Sequence, residues 1–272
     1  MSAKVDVKLV KALRDATGVG ISDCKNALVE SQGDLDKAKD ILRAKGMKTA
    51  SSKSARQASE GEVAVALAKD SVVFVQVNCE TDFVARESGF KTFAQAVADI
   101  ALATQSASLD DLLKQEMGSG TVEDERVALV SRVGENVQIS GVTYKQVDNA
   151  HASVYQHGGK VACAVFLEQD QLGVGKEVAM HVVAMQPIAV DSSGVSLEVI
   201  ERERAVFTAQ TEKMGKNPQM TEKIVEGKLG KFFKEVCLLD QAFVKDSNIT
   251  VSAYLAQTKT RVLDFIRVEL GE

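Results

Sequence analysis

The chain has 272 residues, of which 45% are hydrophobic and 26% charged, and its formal net charge is −5. This composition is typical of soluble globular proteins, and the length allows two or three domains with at least one substantial core. No apolar run approaches the roughly 20 residues that span a bilayer, and the charged N-terminus "MSAKVDVKLVKAL" is unlike a signal peptide, so we expect a cytoplasmic protein.

The first 46 residues have the pattern of three short helices that end at glycines. The first helix, "KLVKALRDATG", stops at Gly18. The second begins at an N-cap-like Ser22 and ends at Gly33, and the third begins at Asp34 and ends at Gly46. The sequence therefore predicts a compact three-helix module at the N-terminus.

This module is basic. Residues 1–56 contain twelve Lys/Arg and seven Asp/Glu, a net charge of +5, whereas the whole chain carries −5. A basic module could contact RNA or an acidic protein face. Its charges alternate in sign, however, and no aromatic residue lies among them for base stacking, which favours ordinary solvated helix faces.

Residues 47–60, "MKTASSKSARQASE", contain almost no large apolar side chain. They are predicted to form a linker or a solvated helix. Because such a segment has little to bury, we expect the rest of the chain to stay folded when residues 1–50 are removed.

An α+β core follows, built from two similar units. In the first, "EVAVALA", the turn "KDS" and "VVFVQVNC" predict a β-hairpin that the helix "SGFKTFAQAVADIALA" covers. In the second, "ASVYQ", "HGG" and "KVACAVFLE" predict a hairpin followed by the helix "GKEVAMHVVAM". Ala94 and Val97 of the first helix align with Ala179 and Val182 of the second. Only the first unit carries "ETDFVARES" between its strand and its helix.

Residues 195–236 differ from the core and predict an antiparallel helical hairpin. Apolar residues recur at heptad-like spacing in two stretches separated by "GKNP": Ile200, Phe207 and Met214, then Val225, Leu229, Phe232 and Val236. Pro218 lies where a returning helix would begin. The last stretch, "TRVLDFIRVELGE", predicts a closing strand.

The predicted domain organisation follows these patterns. The fold class is α+β, with an N-terminal three-helix module, a core of two pseudo-repeated hairpin-plus-helix subdomains and an inserted helical hairpin. The expected boundaries are 1–46 for the module, 47–60 for the linker, 61–140 for the first core subdomain, 141–194 with 237–272 for the second, and 195–236 for the hairpin.

Signatures of catalysis and metal binding are missing from the sequence. The histidines His151, His157 and His181 have no metal-ligand spacing, so core or interface roles are favoured. The stretch "GVGKE" at 173–177 lacks the first glycine and the Ser/Thr of a phosphate-binding loop. The four scattered cysteines have no Cys-x-x-Cys pair and are expected to be reduced core thiols. We therefore predict a binding protein with no catalytic residue, metal or cofactor.

One junction needs an explanation. Asp82 and Phe83 lie side by side between a predicted buried strand and the following helix. Taken alone, Phe83 could be a core residue that caps the helix, or it could be exposed for a partner. The residues by themselves leave both readings open.

Several motifs in order resemble the elongation factor Ts family, the guanine-nucleotide exchange factors of elongation factor Tu. They are the N-terminal "LVKALRDATGVGISDCKNALVESQGDLDKAKDILRAKG", the most specific motif "VNCETDFVAR", then "SVYQHGGKVACAV", "VAMHVVAMQP" and "FIRVELGE". The resemblance runs from residue 5 to the C-terminus. It implies that the three-helix module is of the ubiquitin-associated (UBA) type. The chain departs from the family in one respect: it stops at Glu272, just after the final strand, so we expect the extra C-terminal helix of many members to be absent.

The resemblance also implies roles for particular residues. A loop of Thr81, Asp82, Phe83 and Val84 would insert near the magnesium and phosphate site of the GTPase and promote GDP release. The N-terminal module would dock on the GTPase domain around Asp23, Cys24 and Lys25. The second core unit would hold another domain of the partner through His157, Met180 and His181.

Two hypotheses from other classes remain as alternatives. An RNA-binding or ubiquitin-like-binding adaptor would need only residues 1–50, and an enzyme would use Cys79 or His157. The exchange-factor hypothesis expects no nucleotide bound to this chain itself, no membrane contact and no specific nucleic acid.

Overall fold

The computed structural model describes residues 6–169, 173–213 and 218–271, and it has the predicted α+β class. Contacts divide the chain into two compact units. The first contains residues 1–66, 72–145 and 268–272, and the second contains residues 67–71 and 146–267.

The N-terminal part of the first unit consists of three helices, α1 (Val7–Thr17), α2 (Ile21–Glu30) and α3 (Leu35–Lys53). Local signals set their ends. The Asp34 side chain caps α3 by accepting from the amides of Asp36 and Lys37, and α1 stops at Gly18, whose φ of 67° suits glycine. A small core joins the three helices and includes Leu13, Cys24 and Leu28, all fully buried.

Two predicted helix boundaries are wrong. Helix α2 begins at Ile21 with Gly20 as its N-cap residue, so Ser22 lies inside the helix. Helix α3 does not end at Gly46 but continues to Lys53, seven residues into the predicted linker. A Cβ added to Gly46 would lie 2.7 Å from Ser131 Oγ, so glycine here permits close packing against a neighbouring helix.

The continuation of α3 belongs to the core of the first unit. Ala50 is buried and packs in the same hydrophobic cluster as Phe90, Val97 and Leu129. The expectation that residues 47–60 bury little is therefore wrong for the helical part of this segment.

The rest of the first unit is a sheet covered by helices. Its elements are, in chain order, β1 (Glu60–Leu67), β2 (Ser71–Cys79), α4 (Asp82–Arg86), α5 (Ser88–Thr104), α6 (Leu109–Leu112), β3 (Glu116–Met117), β4 (Gly120–Thr121), α7 (Val122–Val133) and β5 (Val137–Gln146). The sheet has the order β1-β2-β5, and β3 and β4 form a separate ribbon. Helix α5 buries one side against this sheet, with Phe90, Ala94 and Val97 fully enclosed.

The second unit repeats this plan. Its elements are β6 (His151–His157), β7 (Val161–Leu167), α8 (Val174–Met185), α9 (Leu197–Glu212), α10 (Pro218–Val236), β8 (Ala242–Phe243), β9 (Asp246–Thr250), α11 (Val251–Thr258) and β10 (Val262–Glu269). Strands β6 and β7 pair antiparallel, with His151 opposite Leu167 and His157 opposite Val161. Helix α8 packs on both strands, and the sheet order is β10-β7-β6.

The internal repeat includes a third strand in each sheet. The predicted closing strand is confirmed as β10, whereas β5 was not predicted from the sequence. In each sheet a later strand, β5 or β10, pairs with the second strand of the hairpin. The aligned helix positions Ala94, Val97, Ala179 and Val182 are all fully buried. The two units therefore share a strand order and a buried helix face.

Helices α9 and α10 pack against each other as the predicted hairpin, and Pro218 is the first residue of α10. Val225 and Leu229 are buried between them, and Arg204 pairs with Glu226 at 2.5 Å. Near its base, the hairpin packs on a small cluster that includes Ala189, Val195 and Cys237. Met214 of the predicted heptad pattern lies outside the described residues.

Candidate functional site

The segment after β2 is a short helix and not the predicted loop. Thr81 is the N-cap residue of α4, and its Oγ1 accepts from the Val84 amide at 3.4 Å. Helix α4 has five residues and is followed directly by α5. Because an isolated helix of this length is unstable, its conformation must depend on contacts with the rest of the unit.

Neighbouring side chains of α4 differ sharply in exposure. The surface of Phe83 is 80% exposed, whereas Val84 is 5% exposed and packs in the core with Phe90. Asp82 is half-buried and pairs with Arg86 at 2.8 Å, one turn along the helix. The helix therefore presents an aromatic ring and a carboxylate to solvent. The reading of Phe83 as a core residue is wrong.

Cys79 lies behind α4 and is not a nucleophile. Its Sγ donates to the carbonyl oxygen of Thr81 at 3.1 Å, and its side chain is fully buried. Burial, with a smaller effect from the nearby negative charge of Glu135, raises the pKa of the Cys79 thiol to about 11. The thiol is therefore protonated at neutral pH, and this removes the support for an enzyme that uses Cys79.

The predicted residues of the N-terminal module have different environments. Lys25 is exposed, and Asp23 forms an ion pair with Lys45 at 2.5 Å. Cys24 is fully buried, and its Sγ lies 3.4 Å from the carbonyl oxygen of Val19. A direct partner contact by the Cys24 side chain does not fit this burial. Its neighbour Ile21, which the sequence analysis did not select, is 55% exposed.

The residues predicted in the second unit also separate into surface and core. His157 is exposed at the end of β6, with Nδ1 3.3 Å from the Tyr155 hydroxyl, and Met180 is half-buried on α8. His181 is fully buried, so a direct partner contact by its imidazole does not fit the structure. Of the core and interface roles favoured for this histidine, its burial fits the core role.

Hydrogen bonds explain why a histidine is tolerated in this core. The Val244 amide donates to His181 Nδ1 at 3.1 Å, and Nε2 lies 2.9 Å from Gln241 Oε1. Since Nδ1 accepts, the neutral ring carries its proton on Nε2 and donates it to Gln241. Burial lowers the pKa of His181, and the bond to Gln241 opposes this only partly. Gln241 in turn donates to the carbonyl oxygen of Glu235 at 2.7 Å, at the end of α10.

The predicted residues thus lie in three places. Thr81 to Val84 form the start of α4, Asp23 to Lys25 lie on α2, and His157, Met180 and His181 belong to the second unit. Within the described ranges, no three or more His, Cys, Asp or Glu side chains are grouped to hold a metal ion. No helix in the described part of the chain is both long and apolar enough to cross a membrane.

Comparison with known proteins finds the same family that the motif around α4 resembles. A family model described as "Elongation factor TS" matches residues 80–272, so its match begins at the residue before the cap of α4. Proteins named elongation factor Ts are similar along nearly the whole chain. The protein of Alcanivorax borkumensis is 42% identical over 97% of this chain and 93% of its own length. The proteins of Hydrogenovibrio crunogenus and Thioalkalivibrio sulfidiphilus are 39% and 38% identical over 98% of this chain and 92% of their own lengths.

The chain belongs to the elongation factor Ts family. Membership makes it a translation elongation factor of the nucleotide-exchange class. The relatives match residues of the N-terminal helices as well as the core, because their similarity covers more of the chain than the family model does.

Sequence reasoning missed several residues that build the site. Glu135, which contacts Thr81, and Gln241, which contacts His181, are distant in sequence from the residues they hold. No local pattern marks either one. Val84 was included in the predicted site, but its burial makes it an anchor of α4 and not an exposed group.

Proposed function

We propose that this chain binds the GDP-loaded form of elongation factor Tu and promotes GDP release, forming a nucleotide-free complex that persists until GTP binds. Family membership supports this function. The single observation that carries the mechanism is the exposed ring of Phe83 on a helix that the neighbouring Val84 anchors in the core.

In this proposal α4 enters the partner near its magnesium and phosphate site. Burying the Phe83 ring in the partner stabilises the complex by roughly 1.5–3 kcal/mol. Asp82, which pairs with Arg86 in the free protein, competes for groups that organise the partner's magnesium. Thr81 caps the helix and Val84 fixes it to the core, so both act by holding Asp82 and Phe83 in place.

Exchange of this kind requires differential binding and no covalent chemistry. If the factor binds nucleotide-free Tu more tightly than GDP-bound Tu, linkage obliges GDP and the factor to weaken each other's binding by the same factor. This agrees with the protonated, buried thiol of Cys79. In this mechanism the chain is not an enzyme, and it needs no cofactor, no metal and no bound nucleotide of its own.

Two further surfaces contribute contacts in the same complex. Asp23 and Lys25 of α2 dock on the GTPase domain, while His157 and Met180 hold a different domain of the partner. Cys24 and His181, being buried, support the surfaces around them and do not touch the partner. The proposal involves no membrane and no specific nucleic acid, and places the protein in the cytoplasm.

The test is the affinity of the purified full chain for Tu, measured by titration calorimetry at increasing GDP concentrations. We expect the apparent dissociation constant to rise once GDP exceeds its own dissociation constant and to level off at the weaker value for GDP-bound Tu. Equal affinities for GDP-bound and nucleotide-free Tu would contradict the exchange mechanism. The adaptor alternative predicts that a chain lacking residues 61–272 retains the whole function, whereas exchange requires α4.

A further inference from the structure

Glu135 holds the N-terminal end of α4 with both oxygens of its carboxylate. The Thr81 amide donates to Oε2 at 3.0 Å, and the Thr81 hydroxyl donates to Oε1 at 2.8 Å. Glu135 lies in the short connection between α7 and β5, 54 residues along the chain. The hydroxyl that donates to Glu135 is the same group that accepts from the Val84 amide and caps the helix.

The connection that carries Glu135 is itself firmly held. The Asn136 amide donates to Glu80 Oε1 at 2.6 Å. The neighbours 135 and 136 are therefore bonded to the two residues that precede α4, 81 and 80. The Asn136 side chain is buried and donates to the carbonyl oxygen of Arg56 at 2.8 Å, just beyond the end of α3. Lys53, the last residue of α3, donates to the carbonyl oxygen of Gly134.

These contacts matter because α4 is too short to be stable alone. Val84 anchors the middle of α4 in the core, and Glu135 fixes the N-terminal end of the helix. A segment that is ordered before binding loses less conformational freedom when it docks. The carboxylate is the only group among those described here that contacts both donors of the cap residue, the amide and the hydroxyl.

We propose that Glu135 is a positioning residue for nucleotide exchange, which fixes α4 so that Asp82 and Phe83 are presented in one orientation. The inference rests on the proposed function, since it assigns α4 to the contact with Tu. Glu135 itself need not touch the partner.

The test uses the full chain with Glu135→Ala, Glu135→Gln and Thr81→Val. Alanine removes both acceptors. Glutamine keeps an acceptor for the Thr81 amide and places an NH₂ donor beside the hydroxyl, so it should rescue partly. Valine retains the amide contact and removes the hydroxyl. Glu116→Ala, an exposed carboxylate on β3, is the matched control.

Two measurements are made on each variant. Hydrogen exchange of the Val84 amide in the free protein reports the order of α4 and needs no partner. The dependence of GDP release from Tu on factor concentration separates the maximal rate from the half-saturating concentration. For Glu135→Ala we expect the Val84 amide to exchange about tenfold faster and the maximal rate of GDP release to be about tenfold lower. Changes of this size correspond to the loss of one to two charge-assisted hydrogen bonds. We expect a smaller change in half-saturation, because the other docking surfaces remain. Glu135→Gln and Thr81→Val should fall between alanine and the unchanged chain.

Two results would overturn the inference while leaving the proposed function intact. The first is that the unchanged chain accelerates GDP release and the Glu135→Ala variant reaches the same maximal rate. The other is a slower rate without any loss of Val84 protection, which would indicate a direct contact. If the unchanged chain does not accelerate release, the proposed function and this inference both fail. If alanine prevents folding, as shown by circular dichroism, the glutamine and valine variants decide by the same criteria.

Discussion

Phe83 and Val84 are consecutive residues, yet 80% of the Phe83 surface is exposed and only 5% of the Val84 surface is. A helical turn inserted between β2 and α5 produces this difference, because adjacent residues on a helix point about 100° apart. Val84 packs into the core with Phe90, and Phe83 extends into solvent. Stability and the proposed partner contact thereby depend on different residues of one short segment.

Truncation of two phenylalanines should separate these roles. Phe83→Ala is expected to change the free energy of unfolding by no more than about 0.5 kcal/mol, as for other exposed sites. Phe90→Ala, which removes a fully buried ring of α5, should cost roughly 3–5 kcal/mol. Urea denaturation of both variants measures the difference. A large loss of stability in Phe83→Ala would show that the ring is packed in solution.

The continuation of α3 past Gly46 leads to a second prediction. Ala50→Asp places an unpaired carboxylate in the core of the first unit and should destabilise it by roughly 3 kcal/mol or more. Ser51→Asp, at the exposed neighbouring position, should have little effect. Thermal denaturation compares the pair. Equal melting temperatures would mean that residues 47–53 are a solvated linker after all.

The burial of His181 predicts a pH dependence of stability. Its pKa is lowered in the folded state by burial, whereas an unfolded chain takes up this proton near pH 6.5. The unfolded state therefore binds more protons below about pH 6.5. The stabilisation by neutral His181 is complete above that pH and is lost as the pH falls towards the folded pKa.

This dependence can be isolated by comparing variants. Urea denaturation at pH 7.5 and pH 5.5 should show a smaller stability difference in His181→Gln than in the unchanged chain, because glutamine does not titrate. His157→Gln, at an exposed position, should keep the full difference. An undiminished pH dependence in His181→Gln would contradict the account of this histidine.

All four cysteines are buried free thiols, and this predicts their reactivity. The native protein should react slowly with Ellman's reagent at pH 8, and four thiols should appear when urea is added. Burial raises the pKa of Cys79 to about 11 and also raises that of Cys163, so neither is a reactive thiolate at this pH. Rapid modification of one thiol in the native protein would show that a cysteine is accessible.

Local signals in the sequence predicted most of the helices and both hairpins, because capping and apolar periodicity act over a few residues. Gly18 is a position where such a signal succeeds, and Gly46 is one where it fails. Gly18 has a positive φ and ends α1, whereas Gly46 lies in the middle of α3 against Ser131. Both glycines lie close to α7, but the chain turns at Gly18 and continues as a helix through Gly46, and no local pattern marks this difference.

The candidate site, too, could be predicted from the sequence only in part. The motif containing Asp82 and Phe83 was identifiable by resemblance, but the short helix and its attachment were not. Thr81 and Glu135 are 54 residues apart and meet because β2 and β5 are neighbours in the sheet. Strand β5 itself was not predicted, so no reasoning from local pattern could bring Glu135 to the site.

The central claim is that Asp82 and Phe83 drive the release of GDP, and stopped-flow release of labelled GDP from Tu tests it most directly. The unchanged chain should accelerate release. Phe83→Ala should lower the maximal rate about tenfold or more, consistent with the roughly 1.5–3 kcal/mol of a buried ring. Asp82→Ala should also lower it, because the carboxylate that competes for the groups around the magnesium is removed. Leu67→Ala, which truncates an exposed apolar residue of β1, should leave the rate unchanged. Undiminished release with both α4 variants, at unchanged stability, would contradict the account.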